Sequence, residues 1–170
     1  MEQITLCSGA ELLYLPDLRY KTARITVSFL TPLREETASA NAMLPGILTR
    51  ACAACPDFTS LNRRLAMLYG AWVGGRVRKI GETQALTFTL SLLDDRYAPN
   101  GEKLAEKGAA LLRNMIFRPA LENGAFRAED LEQERRQLCE ELDSEFNDKR
   151  IYAKNRAEEM LCRGEAYACG

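Results

Sequence analysis

The residues best placed to do chemistry are two glutamates in the segment Leu131-Glu132-Gln133-Glu134-Arg135-Arg136-Gln137-Leu138-Cys139-Glu140-Glu141-Leu142. Wound as an α-helix, this segment carries an apolar stripe of Leu131, Leu138 and Leu142. Positions seven apart differ by only about 20° around the helix axis, so Glu134 and Glu141 fall on that stripe. A carboxylate turned toward a core is costly unless it is paired or bound to a metal. Two arrangements meet that condition. Either the glutamates lie at the stripe's edge, reaching water or Arg135 and Arg136, or they belong to a site.

Cysteine supplies the second set of candidates. Cys52-Ala53-Ala54-Cys55 has the spacing of zinc knuckles and of thioredoxin-like redox sites, and Cys7, Cys139, Cys162 and Cys169 complete the six. A structural zinc site needs a second such pair or a Cys/His pair, and neither exists. A thioredoxin-type pair opens a helix just after a strand, whereas this one lies at the end of a helical stretch. The chain contains no histidine, so it cannot by itself supply an imidazole as base or ligand. Buried or half-buried free thiols are the expectation for Cys52 and Cys55.

Charge narrows the partners. The 23 basic and 24 acidic residues are interspersed and leave a net charge of −1. No clustered basic field is present, so a nucleic-acid partner is not expected. The longest uncharged stretch, Thr37–Thr49, is 13 residues and includes Pro45 and Gly46. It is too short to span a bilayer, and no membrane partner is expected. Met1-Glu2-Gln3-Ile4 lacks the basic and apolar regions of a signal peptide. A cytoplasmic location is the expectation, and free thiols are the default there.

The elements that must position these groups follow from periodicity. Ile4–Leu6 and Glu11–Pro16, joined by Ser8-Gly9, read as a hairpin. Arg24–Thr31 alternates, with Ile25, Val27 and Phe29 on one side. A helical block from about Glu35 to Ala54 follows, with Pro45-Gly46 expected to kink or split it. Asp57 caps a helix carrying Leu61, Leu65 and Leu68 and ending at Gly70. Trp72–Lys79 and Thr83–Leu93 read as paired strands, the second with Leu86, Phe88, Leu90 and Leu92 on its buried face. Helices are expected over about Glu102–Phe117 and from Ala128 to about Leu161, the latter with a break near Asn147-Asp148. The order predicts an α+β fold, a single, mainly antiparallel sheet covered by helices on one face, with residues 1–170 forming one domain. Gly164-Glu165-Ala166-Tyr167-Ala168-Cys169-Gly170 carries no finishing element, which suggests a fragment cut from a longer protein.

Several stretches together carry a family likeness. They are Arg24–Leu33, Pro56–Ala66 with Leu68-Tyr69-Gly70-Ala71, Arg78–Gln84, Asp94–Tyr97, Glu132–Arg136 and Asn147–Arg150. With them the chain resembles the insulinase/pitrilysin-type zinc peptidases, specifically the small bacterial members in which a catalytic and a non-catalytic protein are partners. The resemblance spans nearly the whole chain. Active members carry an inverted zincin motif, H-x-x-E-H, on the helix after the third strand: both histidines bind Zn²⁺ and the glutamate is general base. A later helix supplies a third ligand, a glutamate, with another glutamate seven residues before it.

Carried onto this chain, the motif falls within Ala42–Leu48, where Met43, Gly46 and Ile47 stand at its functional positions. Glu141 matches the ligating glutamate and Glu134 the upstream one. One carboxylate does not hold Zn²⁺ usefully. The resemblance thus implies a chain with no catalytic residues, no metal and no cofactor of its own, the zinc residing in a catalytic insulinase-like homologue. It also implies hetero-oligomer formation with that homologue, or self-association, and a peptide held in extended form, as by strand addition. Two alternatives stand beside it: a zinc site rebuilt from Glu141, Glu134 and Cys52, Cys55 or Cys139, and a plain binding or redox module using the cysteine pair.

Overall fold

The computed structural model describes residues 1–168, without the side chain at position 145. Cys169, one of the six cysteines, lies outside the described residues. At the centre is an antiparallel sheet in the order β3-β5-β4, built from β3 (Thr22–Pro32), β4 (Trp72–Ile80) and β5 (Thr83–Leu93). β4 and β5 form a tight hairpin in which Ile80 pairs Thr83 and Trp72 pairs Ser91. β3 pairs the other side of β5 along its whole length, from Thr22 opposite Leu93 to Pro32 opposite Thr83.

Alternation gives this sheet two unlike faces. Leu86, Phe88, Leu90 and Leu92 of β5 are buried on one of them, joined by Ile25, Val27, Val73 and Val77 from its neighbours. Two helices, α1 (Glu35–Leu48) and α3 (Leu104–Phe117), pack on that face, and α3 contributes the buried Leu104, Leu111, Leu112 and Met115. Each such apolar side chain contributes about 1.5–3 kcal/mol on leaving water. At Gly75 of β4 a Cβ would stand 2.5 Å from the Pro45 side chain, so glycine lets α1 lie directly on the strand. Gln84 ties the same helix down: its amide donates to the Ala38 carbonyl at 3.0 Å and accepts from Asn41 at 2.9 Å. The expected α+β class, with helices on one face of an antiparallel sheet, is the observed one.

Two expectations need correction. The sheet is not single: β1 (Glu2–Cys7) and β2 (Ala10–Tyr14) form a separate two-stranded sheet. Alternation shows that a strand has two different faces, but not which edge it joins. The linker after the hairpin is fixed elsewhere, since Arg96 donates to the Leu18 and Tyr20 carbonyls at 3.2 and 2.9 Å. Of the kink or split expected at Pro45-Gly46, the split does not occur: the helix continues through both to Leu48. It stops about a turn and a half before the expected Ala54, and Thr49 satisfies its last-turn carbonyls: the N–H donates to Pro45 at 3.3 Å, and Oγ1 donates to Pro45 at 2.7 Å and to Gly46 at 3.2 Å.

Asp57 does cap α2 (Phe58–Met67), accepting from the Ser60 backbone N–H at 2.8 Å within a capping box. The long C-terminal helix breaks where expected, into α4 (Ala128–Glu145) and α5 (Lys149–Leu161). Asp148 recaps the second by accepting from Arg150 and Ile151. Among the described residues no helix is long and apolar enough to cross a membrane.

Candidate functional site

The site is the seam where α4 crosses α1. Ile47 and Leu48 turn into the core and anchor the end of α1, which leaves Gly46 toward α4. There the two helices are almost in contact through one side chain. A Cβ at Gly46 would lie 1.7 Å from Oε1 of Glu134 and 2.1 Å from its Cδ. The Glu134 carboxylate therefore occupies the space that a side chain at position 46 would need. It is only 6% exposed, and a buried carboxylate requires a cation.

The cation is Arg50. Its Nε and Nη2 each donate to Glu134 Oε2 at 3.4 Å. Arg50 follows the last turn of α1, with its own N–H donating to the Ile47 carbonyl at 3.2 Å. A guanidinium at a helix C-terminus is favoured by the exposed carbonyl ends as well as by the carboxylate. Arg50 Nη2 also donates to Gln137 Oε1 at 3.3 Å, and Gln137 Nε2 to Glu141 Oε1 at 3.4 Å. One line of polar contacts thus leads from buried Glu134 out to exposed Glu141.

The sequence-predicted residues part company here. Glu134 reaches the segment that would carry the inverted zincin motif, beside Gly46 where the general base would stand. Glu141, matched to the metal ligand, sits in water two turns along. Ile47 is a core residue and Met43 is half-buried. Arg135, one of the two expected partners of Glu134, pairs with Glu132 at 2.7 Å instead. Sequence reasoning missed Arg50, though a signal existed: it is the charge that ends the uncharged stretch Thr37–Thr49.

Zn²⁺ does not fit this seam. Gly46 and Ile47 offer no donor, Met43 only a thioether, and the oxygen of Glu134 that faces Arg50 already meets a full positive charge. The rebuilt site also fails to assemble, for among the described residues no three His, Cys, Asp or Glu side chains converge as metal ligands. Cys139 is exposed on α4, while Cys52 and Cys55 are buried in the core. These two form a closed turn, Cys52 N–H to Cys55 O at 2.8 Å and Cys55 N–H to Cys52 O at 2.9 Å, with Ala53 N–H donating to Arg118 O at 2.8 Å. Burial first, and then the neighbouring Cys52 thiol, push the Cys55 thiol up from its ordinary pKa. A thiol so held stays protonated at neutral pH and is a poor redox nucleophile.

Known proteins resemble the chain as a whole. The chain is 32% identical over 150 residues to the "Probable inactive metalloprotease YmfF" of Bacillus subtilis (strain 168). That match takes in 88% of this chain and 35% of the relative. By sequence the chain is metalloprotease-like. The crystal structure of a conserved protein from Enterococcus faecalis V583 superposes on 99% of the metalloprotease-like chain, with a TM-score of 0.88 at 27% identity. The match covers 40% of that protein. The chain therefore spans well under half the length of either. No protein-family model matches it.

Proposed function

We propose that this chain is a non-catalytic domain of the insulinase/pitrilysin type, the first repeat of a longer protein, which binds extended peptides and pairs with a catalytic homologue holding the zinc. The observation that carries the reading is the Gly46–Glu134–Arg50 contact. Where the resemblance to inverted zincins would put base and metal, this chain has a glycine, a carboxylate filling the glycine's free space, and a guanidinium as the positive charge. The printed name of the B. subtilis relative, an inactive metalloprotease, supports the same reading. The packing supports it too, since Glu134 is paired and buried, and a general base must reach a water molecule.

Co-expression with a histidine-bearing homologue tests it. The two proteins should purify together, and peptide hydrolysis should rise strongly in the mixture over either protein alone. A homologue that is fully active by itself and unchanged by this chain sinks the pairing.

A further inference from the structure

The face of the central sheet turned away from α1 and α3 holds chemistry that the seam does not use. Its middle is a hydroxyl ladder, with Ser28 3.1 Å from Thr87. Along β4 the same face presents Trp72, Arg76 and Arg78, and Arg24 of β3 stands in register with Ser91 and Trp72. All three arginines are exposed. None of them makes an ion pair or side-chain hydrogen bond with another described residue. The strands β3, β4 and β5 contain no aspartate or glutamate. Three unneutralised cations thus share one sheet face, in a chain whose net charge is −1.

Trp72 gives that face an apolar end. It is the only tryptophan of the chain and is 60% exposed. Its ring lies across Gly74, where a Cβ would be 2.5 Å from the indole Cζ2. Glycine there lets a large aromatic surface lie open along the strand, and aromatic and arginine side chains are the usual anchors of binding surfaces. The spacing is also informative. Arg76 and Arg78 are alternate residues of a strand, about 6.4–6.8 Å apart along it, the repeat of alternate side chains in any extended peptide.

We propose that this face binds an acidic peptide segment in extended form. Carboxylates at alternate positions would meet Arg76 and Arg78, and an apolar side chain four positions away would meet Trp72. The proposal rests on the peptide-binding reading above and names the class of peptide. Guanidinium suits the task because it grips a carboxylate through two parallel N–H donors.

Trp72 fluorescence reads the test without any label. A synthetic peptide alternating Glu and Thr and ending in Leu is titrated into the 170-residue chain, beside a Lys–Thr counterpart and an oligothymidylate. The acidic peptide should shift the emission with saturation. Arg76→Gln together with Arg78→Gln should weaken it about tenfold or more, the loss expected when charged hydrogen bonds go, and Arg76→Lys with Arg78→Lys should recover part of the affinity. Circular dichroism of the glutamine variant should match the parent, since both sites are exposed. Binding of the Lys–Thr peptide with equal affinity, or of the acidic one unaffected by the double replacement, overturns the arginine face but leaves peptide binding standing. Equal, arginine-dependent binding of oligothymidylate overturns it in favour of a general polyanion surface. Failure of both peptides to bind overturns this inference and the peptide-binding part of the proposed function together.

Discussion

Glu134 and Glu141 are the same side chain on the same helix, nearly superposed on its helical wheel, yet one is buried and the other lies in water. The difference is made by α1. Its last turn covers α4 at Glu134, where Leu131 and Leu138 are also half-buried. Past that crossing the stripe runs on without cover, and Leu142 and Phe146 are 58% and 67% exposed. An apolar stripe is thus a capacity for burial that a neighbour must take up. A carboxylate on it is tolerated where the neighbour also brings a cation, as the end of α1 brings Arg50.

The sharpest contrast between the covered and open regions should be in thiol reactivity. Cys139 lies on the exposed side of α4, while Cys52 and Cys55 are packed just beyond the end of α1. Under iodoacetamide at mildly alkaline pH, Cys139 and Cys7 should react on the order of 100-fold faster than Cys52 and Cys55, which wait for local unfolding. Peptide mass mapping over time gives the rates, and comparable rates would mean that the end of α1 opens freely. The pH dependence has a definite sign. Because the folded Cys55 thiol is held above its ordinary pKa, the unfolded thiol ionises first as pH rises. The stability due to this group is complete below the ordinary thiol pKa and is lost as pH climbs through the folded value.

Next in size is the loss of the cation. Arg50→Ala leaves the Glu134 carboxylate buried beside Gly46 with no partner, which should cost about 2–4 kcal/mol in urea unfolding. Replacing both partners with apolar residues, Arg50→Met with Glu134→Leu, should bring stability back to within about 1 kcal/mol of the parent. A cost below about 0.5 kcal/mol for Arg50→Ala would place the seam among ordinary surface pairs.

Gly46→Ala probes the same seam from the other helix. The new methyl needs the space that Glu134 fills, so the carboxylate must swing away from Arg50 or the helices must part. The expected cost is about 1–2 kcal/mol. Most of it should vanish in a Glu134→Ala background, because the three atoms nearest the new methyl all belong to that side chain. Equal costs in both backgrounds would assign the effect to the helix itself.

How far the sequence foretold this seam depends on which interaction was local. The β5 strand, the Asp57 cap and the break before α5 were legible because alternation, capping chemistry and a helix-ending Asn-Asp are written within a few residues. That Glu134 lies on the apolar stripe was legible for the same reason. Its partner was not: Arg50 is 84 residues away, and helical spacing offers only near neighbours such as Arg135. The separate β1–β2 sheet was missed because pairing edges are chosen by tertiary contacts that alternation does not encode. The likeness to zinc peptidases located the Met43–Ile47 segment and both glutamates, but its pattern assigns no role to an arginine at position 50.

The smallest effect is expected at Glu141, and it decides whether the comparison holds. On the helical wheel Glu141→Ala and Glu134→Ala are nearly equivalent changes. Among the described residues the Glu141 carboxylate has only the 3.4 Å contact from Gln137, itself exposed, so its removal should shift stability by no more than about 0.5 kcal/mol. Glu134→Ala, in contrast, strips Arg50 of its carboxylate, leaving it the Gln137 contact, and opens a gap beside Gly46. A loss at Glu141 as large as that at Glu134 would mean that the open half of α4 is covered in solution, by a second copy or by a partner. Repeating the Glu141→Ala measurement at several protein concentrations separates these cases, because a cover supplied by a second copy makes the loss concentration-dependent.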